Sequence, residues 1–202
     1  MAEDLRLHSP AAERNAAPIL AALQRRLPAR GTLLEIASGT GQHAAAFAAA
    51  LPGWRWLPTD ADARVLASIA AWCTGLPNVE PPRMLDVAAE PWADLPAALD
   101  AVWCANLIHI APWPVTGALM RGAARHMAPW GQLLTYGPYL EEGVPAAPSN
   151  LAFDADLRAR NPAWGLRRLD EVAAEAAAAG LALHERLEMP ANNLLLAWVR
   201  QG

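Results

Sequence analysis

The chain contains no lysine: all 16 of its basic side chains are arginine. That absence removes Schiff-base chemistry and the Gly-Lys-Ser/Thr phosphate loop from consideration. Cysteine is scarce, with only Cys73 and Cys104. Both lie in apolar runs, so the pair reads as buried thiols rather than a disulfide or a metal site, and a reducing, cytoplasmic compartment is expected. No apolar run reaches the roughly 18 to 20 residues needed to span a bilayer, and Met1 to Arg6 lack a basic region followed by an apolar one. No membrane partner is expected. Positive charge is also in short supply: the formal net charge is −4 and the pI is near 5.7, which leaves no broad basic surface for nucleic acid.

What is present is a core. With 202 residues, 54% of them hydrophobic, residues 1–202 are expected to form a single domain. Ser9-Pro10 can start a helix, and Ile19, Leu20, Leu23 and Leu27 continue it at helical spacing, with Pro18 implying a break; residues 1–30 thus read as an N-terminal helical cap. A first strand at 32–37 runs into an Ala-rich helix at 42–51. Trp54 to Pro58 reads as the second strand, followed by a helix capped by Asp62 and ended by Gly75. Arg83 to Leu85 is a short third strand and Ala101 to Ala105 a fourth, covered on both faces. Pro114 opens a helix that stops near Pro129, before a fifth strand at Gln132 to Tyr136.

Alternating strands and helices predict a parallel sheet with helices on both faces. The ending differs. After a helix capped by Asp170 and closed by Gly180, the runs Leu181 to Leu187 and Leu194 to Val199 are separated by a loop too short for a parallel return, so they form an antiparallel hairpin. The expected fold is therefore α/β, Rossmann-like, with a mostly parallel seven-stranded sheet of the class I methyltransferase type. Residues 137–168, too long for an idle connection, read as a substrate lid, helical in part from Ser149.

In such sheets ligands bind beyond the carboxyl ends of the strands. The first strand ends in Glu35-Ile36-Ala37-Ser38-Gly39-Thr40-Gly41, where the glycines allow a close backbone approach and Glu35 suits the cationic amine of a methionyl group; the implied cofactor is S-adenosylmethionine. Asp60 can accept both ribose hydroxyls. Asp86 can accept the adenine amino group, with Val87 as an apolar wall. Asn106 and His109 follow the fourth strand, where the methyl group departs, and are the catalytic candidates, His109 as a general base or as a hydrogen-bonded structural residue. Tyr136, Tyr139 and Asn150 lie at or in the lid and are candidates for a small-molecule acceptor. No metal site is expected. His126 reads as structural at a helix C-terminus, and His8 and His184 carry no visible chemistry.

Several blocks together resemble a known family: Ser9 to Asn15, the Glu35 to His43 loop, Cys104 to Trp113, Tyr136-Gly137-Pro138-Tyr139, Pro148-Ser149-Asn150 and Met189 to Asn193. They are similar to the family that includes methyltransferase-like protein 26. The resemblance implies an S-adenosylmethionine-dependent enzyme and adds Arg14, Asn15 and Asn193 to the pocket candidates. Where the commonest methyltransferase loop has glycine this chain has Ala37, and the end of strand four lacks an Asn-Pro-Pro-Tyr sequence, which disfavours DNA base methylation. Two other readings stay open. Gly39 to Ala44 also fits a dinucleotide fingerprint with an acidic residue about 20 positions on, as in an NAD-dependent oxidoreductase. A noncatalytic binder of S-adenosylmethionine is the third.

Overall fold

The structure, a computed structural model, describes residues 4–96 and 98–201. Residues 1–3 of the expected N-terminal cap lie outside the described residues, as do Ala97 and Gly202. The strands are β1 (Gly31–Ile36), β2 (Trp54–Asp60), β3 (Arg83–Met84), β4 (Leu99–Ala105), β5 (Met127–Gly137), β6 (Leu181–Met189) and β7 (Asn193–Arg200). The helices are α1 (Pro10–Arg26), α2 (Gln42–Ala50), α3 (Ala63–Trp72), α4 (Pro114–His126), α5 (Pro148–Arg160) and α6 (Leu169–Ala178). The sheet order is β3-β2-β1-β4-β5-β7-β6. The first five strands pair in parallel, while β7 runs antiparallel to both β5 and β6.

Strand alternation divides the core. On one face Leu34, Ile36, Val102, Cys104, Leu196 and Trp198 pack against α4 and α6 through Leu119, Met120, Ala123, Val172 and Ala176. On the other, Leu33, Trp56, Trp103, Leu134 and Leu195 pack against α1, α2 and α3 through Ile19, Leu23, Phe47 and Ile69. Both thiols are buried and free. Burial pushes each up to about 12, so neither forms thiolate near neutral pH.

Three local expectations are corrected. Pro18 does not break α1. The carbonyl it leaves without an intrahelical donor belongs to Arg14, on the exposed side, where solvent has access to it. The fourth helix ends at His126 rather than near Pro129, and β5 begins at once, its register shifting between Leu99 paired with Met127 and Ala101 paired with Gln132. Asp170 lies within the first turn of α6 and not at its cap, which is Arg168. Ser9 and Asp62 do cap their helices, accepting from Ala12 N–H and Arg64 N–H.

Candidate active site

Beyond Ile36 the chain turns through three left-handed residues, Ala37 (φ 56°), Gly39 (φ 57°) and Gly41 (φ 89°). Alanine bears a cost of about 1–2 kcal/mol in that region, which glycine does not. At Gly41 the reason for glycine is contact: a Cβ would stand 2.6 Å from the Ile69 Cα of α3. At Gly39 it is space, since nothing lies within 4 Å of the same position. The loop is fastened to β2, with Ser38 N–H donating to the Thr59 carbonyl and Gly39 N–H to Asp60 Oδ2, each at 2.9 Å. Asp62 N–H donates to Asp60 Oδ1, also at 2.9 Å. Each Asp60 oxygen keeps a further acceptor position.

Glu35 is buried beneath this loop and does not face the crevice. The Trp56 indole N–H donates to its Oε2 at 2.7 Å. Burial raises the carboxyl to about 7; Trp56, Ser38 and Trp103 oppose the rise, and the charge of Asp60 adds to it. Ser38 Oγ and Trp103 Nε1 are buried without a completed hydrogen bond, so polar capacity is left over around this carboxyl. Sequence reading placed Glu35 near the methionyl amine; its position instead supports the floor of the loop. Asp86 is exposed after β3, one oxygen accepting from Ala88 N–H at 2.9 Å and the other free, and Val87 beside it is buried.

At the end of β4, Asn106 takes φ 61°, a conformation asparagine tolerates, and its carbonyl accepts from His109 N–H at 3.0 Å. Residues Leu107–His109 form a single 3-10 turn. His109 is completely buried, edge-on to the Tyr139 ring at 4.9 Å, with neither ring nitrogen partnered. Burial and the Arg167 guanidinium lower it to about 3, so the imidazole is neutral at physiological pH. The sequence expectation for His109 is a general base or a hydrogen-bonded structural residue; a conjugate acid this strong is a poor proton acceptor near neutrality, and among the described residues the ring has no hydrogen bond either.

Residues 137–168 hold α5 across this region. Gly165 N–H donates to the His109 carbonyl at 2.9 Å, and Arg167 donates to the carbonyls of Ile108 (3.2 Å) and Ala111 (2.8 Å). At the other end Asn150 Nδ2 donates to the Asn192 carbonyl at 3.0 Å, joining α5 to the β6–β7 turn. Beside Asn150, where residues 139–147 face the β6–β7 turn, lies a cavity of about 250 Å³ that brings together three of the acceptor candidates, Tyr139, Asn150 and Asn193. The others fall elsewhere. Tyr136 packs toward Trp103 on the opposite face of the sheet, because it is three residues from Tyr139 along an alternating strand and turn. Arg14 is exposed on α1 and Asn15 half-buried, and among the described residues neither side chain is hydrogen-bonded to the strand ends.

Several participants escaped the sequence reading. Arg167, Glu141 and Arg186 sit in stretches with no motif, and only the packing of residues 137–168 against β6 and the β4 end gives them their partners. Gln42 was legible only as a helix start, yet its Oε1 accepts from Ser9 N–H (2.6 Å) and the Thr40 hydroxyl (3.0 Å), binding the N-terminal segment to the loop. The open space at Gly39, the spare acceptor positions on Asp60 and the free oxygen of Asp86 follow one another along the ends of β1, β2 and β3. This arrangement fits an adenosyl group laid across those strands.

A family model described as Protein of unknown function (DUF938) matches residues 6–200. Solved structures share the fold at low identity. The mitomycin 7-O-methyltransferase MmcR superposes with a TM-score of 0.82 at 21% identity over 95% of this chain and 54% of that one. Human N-acetylserotonin methyltransferase in complex with SAM gives 0.80 at 14% identity, over 95% and 53%. An O-methyltransferase family 2 protein from Planctomyces limnophilus in complex with apigenin gives 0.71 at 20% identity, over 97% and 64%. The chain thus spans little more than half the length of the first two and under two thirds of the third. These likenesses establish the class I methyltransferase fold.

Proposed function

The chain belongs to the DUF938 family, and from its fold and the geometry of its strand ends we propose that it is an S-adenosylmethionine-dependent methyltransferase acting on a small-molecule acceptor. The observation that carries this reading is the Asp60 carboxylate fastened to the Gly39 N–H beneath open space, with Asp86 beside it at the next strand end. The blockwise resemblance to the family that includes methyltransferase-like protein 26 supports the same reading. So do the methyltransferase names of the structural neighbours.

When bound, the cofactor supplies an electrophilic methyl group whose bond to sulfur breaks, leaving the electron pair on sulfur, as an acceptor lone pair takes the carbon. The chain's own residues bind and align. Asp60 accepts the ribose hydroxyls at its spare acceptor positions, Asp86 accepts the adenine amino group, and the glycine loop gives the methionyl part room. Asn106 occupies the strand end nearest the transfer, and His109, neutral and buried, holds the shape of the turn that carries it. Alignment of this kind is worth on the order of 7 to 11 kcal/mol in an in-line displacement, more than a general base contributes.

Calorimetric titration tests the reading. S-adenosylhomocysteine is expected to bind the wild-type protein and NADH is not. NADH binding in the absence of S-adenosylhomocysteine binding would replace the methyltransferase assignment with an oxidoreductase.

A further inference from the structure

The cavity between α5 and the β6–β7 turn carries a chemical preference. Among the described residues Arg186 is the only cationic one in its lining, and it is already occupied: its Nε and one terminal nitrogen donate to both Glu141 oxygens at 2.6 and 2.7 Å, and the other terminal nitrogen donates to Glu188 at 3.2 Å. Two carboxylates facing one guanidinium leave the wall with one net negative charge. An anionic ligand would find no free cation here.

The amide groups point the same way. Asn150 is 8% exposed. Its amide nitrogen donates one hydrogen to the Asn192 carbonyl, an acceptor only, which fixes the orientation of the amide and leaves Oδ1 without a donor among the described residues. Asn193 repeats the pattern, giving its amide hydrogens to the Pro190 carbonyl at 3.0 Å and the Ala191 carbonyl at 3.4 Å. The cavity therefore presents unpartnered amide oxygen beside a net negative charge. Leu140, Val144, Met189 and Leu194 supply apolar wall beside them, and the volume of about 250 Å³ suits a ring-sized body on a short chain.

We propose that this cavity is the acceptor subsite and that it takes an organic ammonium compound: a compact apolar body bearing a protonated amine, the amine held by Asn150 Oδ1 and the Glu141–Glu188 pair. The proposal rests on the methyltransferase reading for its role, though not for the binding itself. In the sheet β5, β7 and β6 follow β4 in that order. Strands are spaced by about 5 Å, so the cavity, lined from the ends of β5, β7 and β6, lies roughly 5–15 Å to the side of the β4 end, its near wall one strand away.

Three matched probes test it: 2-phenylethylammonium, 2-phenylethanol and 3-phenylpropionate, titrated calorimetrically into the full chain at low salt, with and without S-adenosylhomocysteine. The ammonium probe is expected to bind about 10-fold or more tighter than the other two, as a charge-assisted contact in a partly buried site provides. The Glu188 side chain is 82% exposed, so its replacement leaves the fold in place. Glu188→Gln should reduce the ammonium advantage about 2- to 5-fold, the range of an exposed charge pair, and Glu188→Arg should reverse the order in favour of the carboxylate. Failure of the ammonium probe to bind, equal binding of the alcohol, or an unchanged order in Glu188→Arg would each overturn the proposal. S-adenosylhomocysteine binding without ammonium preference would sink the subsite alone. Ammonium preference without S-adenosylhomocysteine binding would sink the methyltransferase reading alone.

Discussion

A Cβ placed on Gly137 would stand 2.5 Å from Nε2 of His109. The bare backbone at the end of β5 is what lets the imidazole fill the space beneath the lid. Gly137→Ala is therefore expected to destabilise the protein by about 1–3 kcal/mol through overpacking, read as a lowered midpoint in urea. If His109 in fact pointed elsewhere, the substitution would be nearly silent.

Asp60 links two strand ends, so its removal should be felt in binding. Asp60→Ala is expected to weaken S-adenosylhomocysteine roughly 10- to 150-fold, the loss of about 1.5–3 kcal/mol carried by a hydrogen bond to a charged group. Unchanged affinity in calorimetry would reject its role at the ribose.

Gly39 and Gly41 should separate into two phenotypes. Gly41→Ala drives a methyl group to 2.6 Å from the α3 backbone and is expected to compromise folding. Gly39→Ala meets nothing within 4 Å, so it should cost only the left-handed penalty of about 1–2 kcal/mol while filling the space proposed for the cofactor. Melting curves alongside titrations distinguish them; equal stability losses would show that the loop packs differently.

Ala37 offers the converse. At φ 56° it carries strain that glycine would relieve, and Ala37→Gly is expected to gain about 1 kcal/mol, or about 2–4 °C in Tm for a chain of this size. A lower Tm would mean that unfolded-chain entropy outweighs the relief.

Glu35 gives the fold a pH dependence. Its carboxyl is raised from 4.5 to about 7, so the folded state holds its proton more tightly than the unfolded chain. The associated stability is complete below pH 4.5 and is lost as pH rises to about 7, a span worth about 3 kcal/mol. Glu35→Gln should flatten that segment of the curve measured by denaturant unfolding between pH 5 and 8. A wild-type curve with no difference from the variant would place the carboxylate in a far better solvated setting. His109, lowered to about 3, works in the opposite sense, withdrawing stability as pH falls below 6.5, so the variant rather than the raw wild-type profile isolates Glu35.

The sheet was legible because its signals are local. Runs such as Ala101 to Ala105, punctuation such as Gly75 and Gly180, and the short connection between Leu187 and Leu194 each state their structure within a few residues. Pro18 and Pro129 misled because a proline's effect depends on whether solvent or a neighbouring strand takes up the groups it disturbs, and that is a tertiary fact. The loop glycines and Asp60 stood out by spacing. Glu35 did too, although its side chain alternates into the Trp56–Trp103 face, where it meets indoles. The acceptor side was least legible. Tyr139, Asn150 and Asn193 come from three separate segments, and Glu141 and Arg186 acquire meaning only by pairing across 45 positions of sequence.

Arg167 grips the Ile108 carbonyl within the Leu107–His109 turn and the Ala111 carbonyl beyond it, while Gly165 holds the carbonyl of His109 itself. The covering segment and the end of the fourth strand therefore travel as one body. A molecule that displaced the cover from the hairpin side would have to break those hydrogen bonds or carry the turn after Asn106 with it.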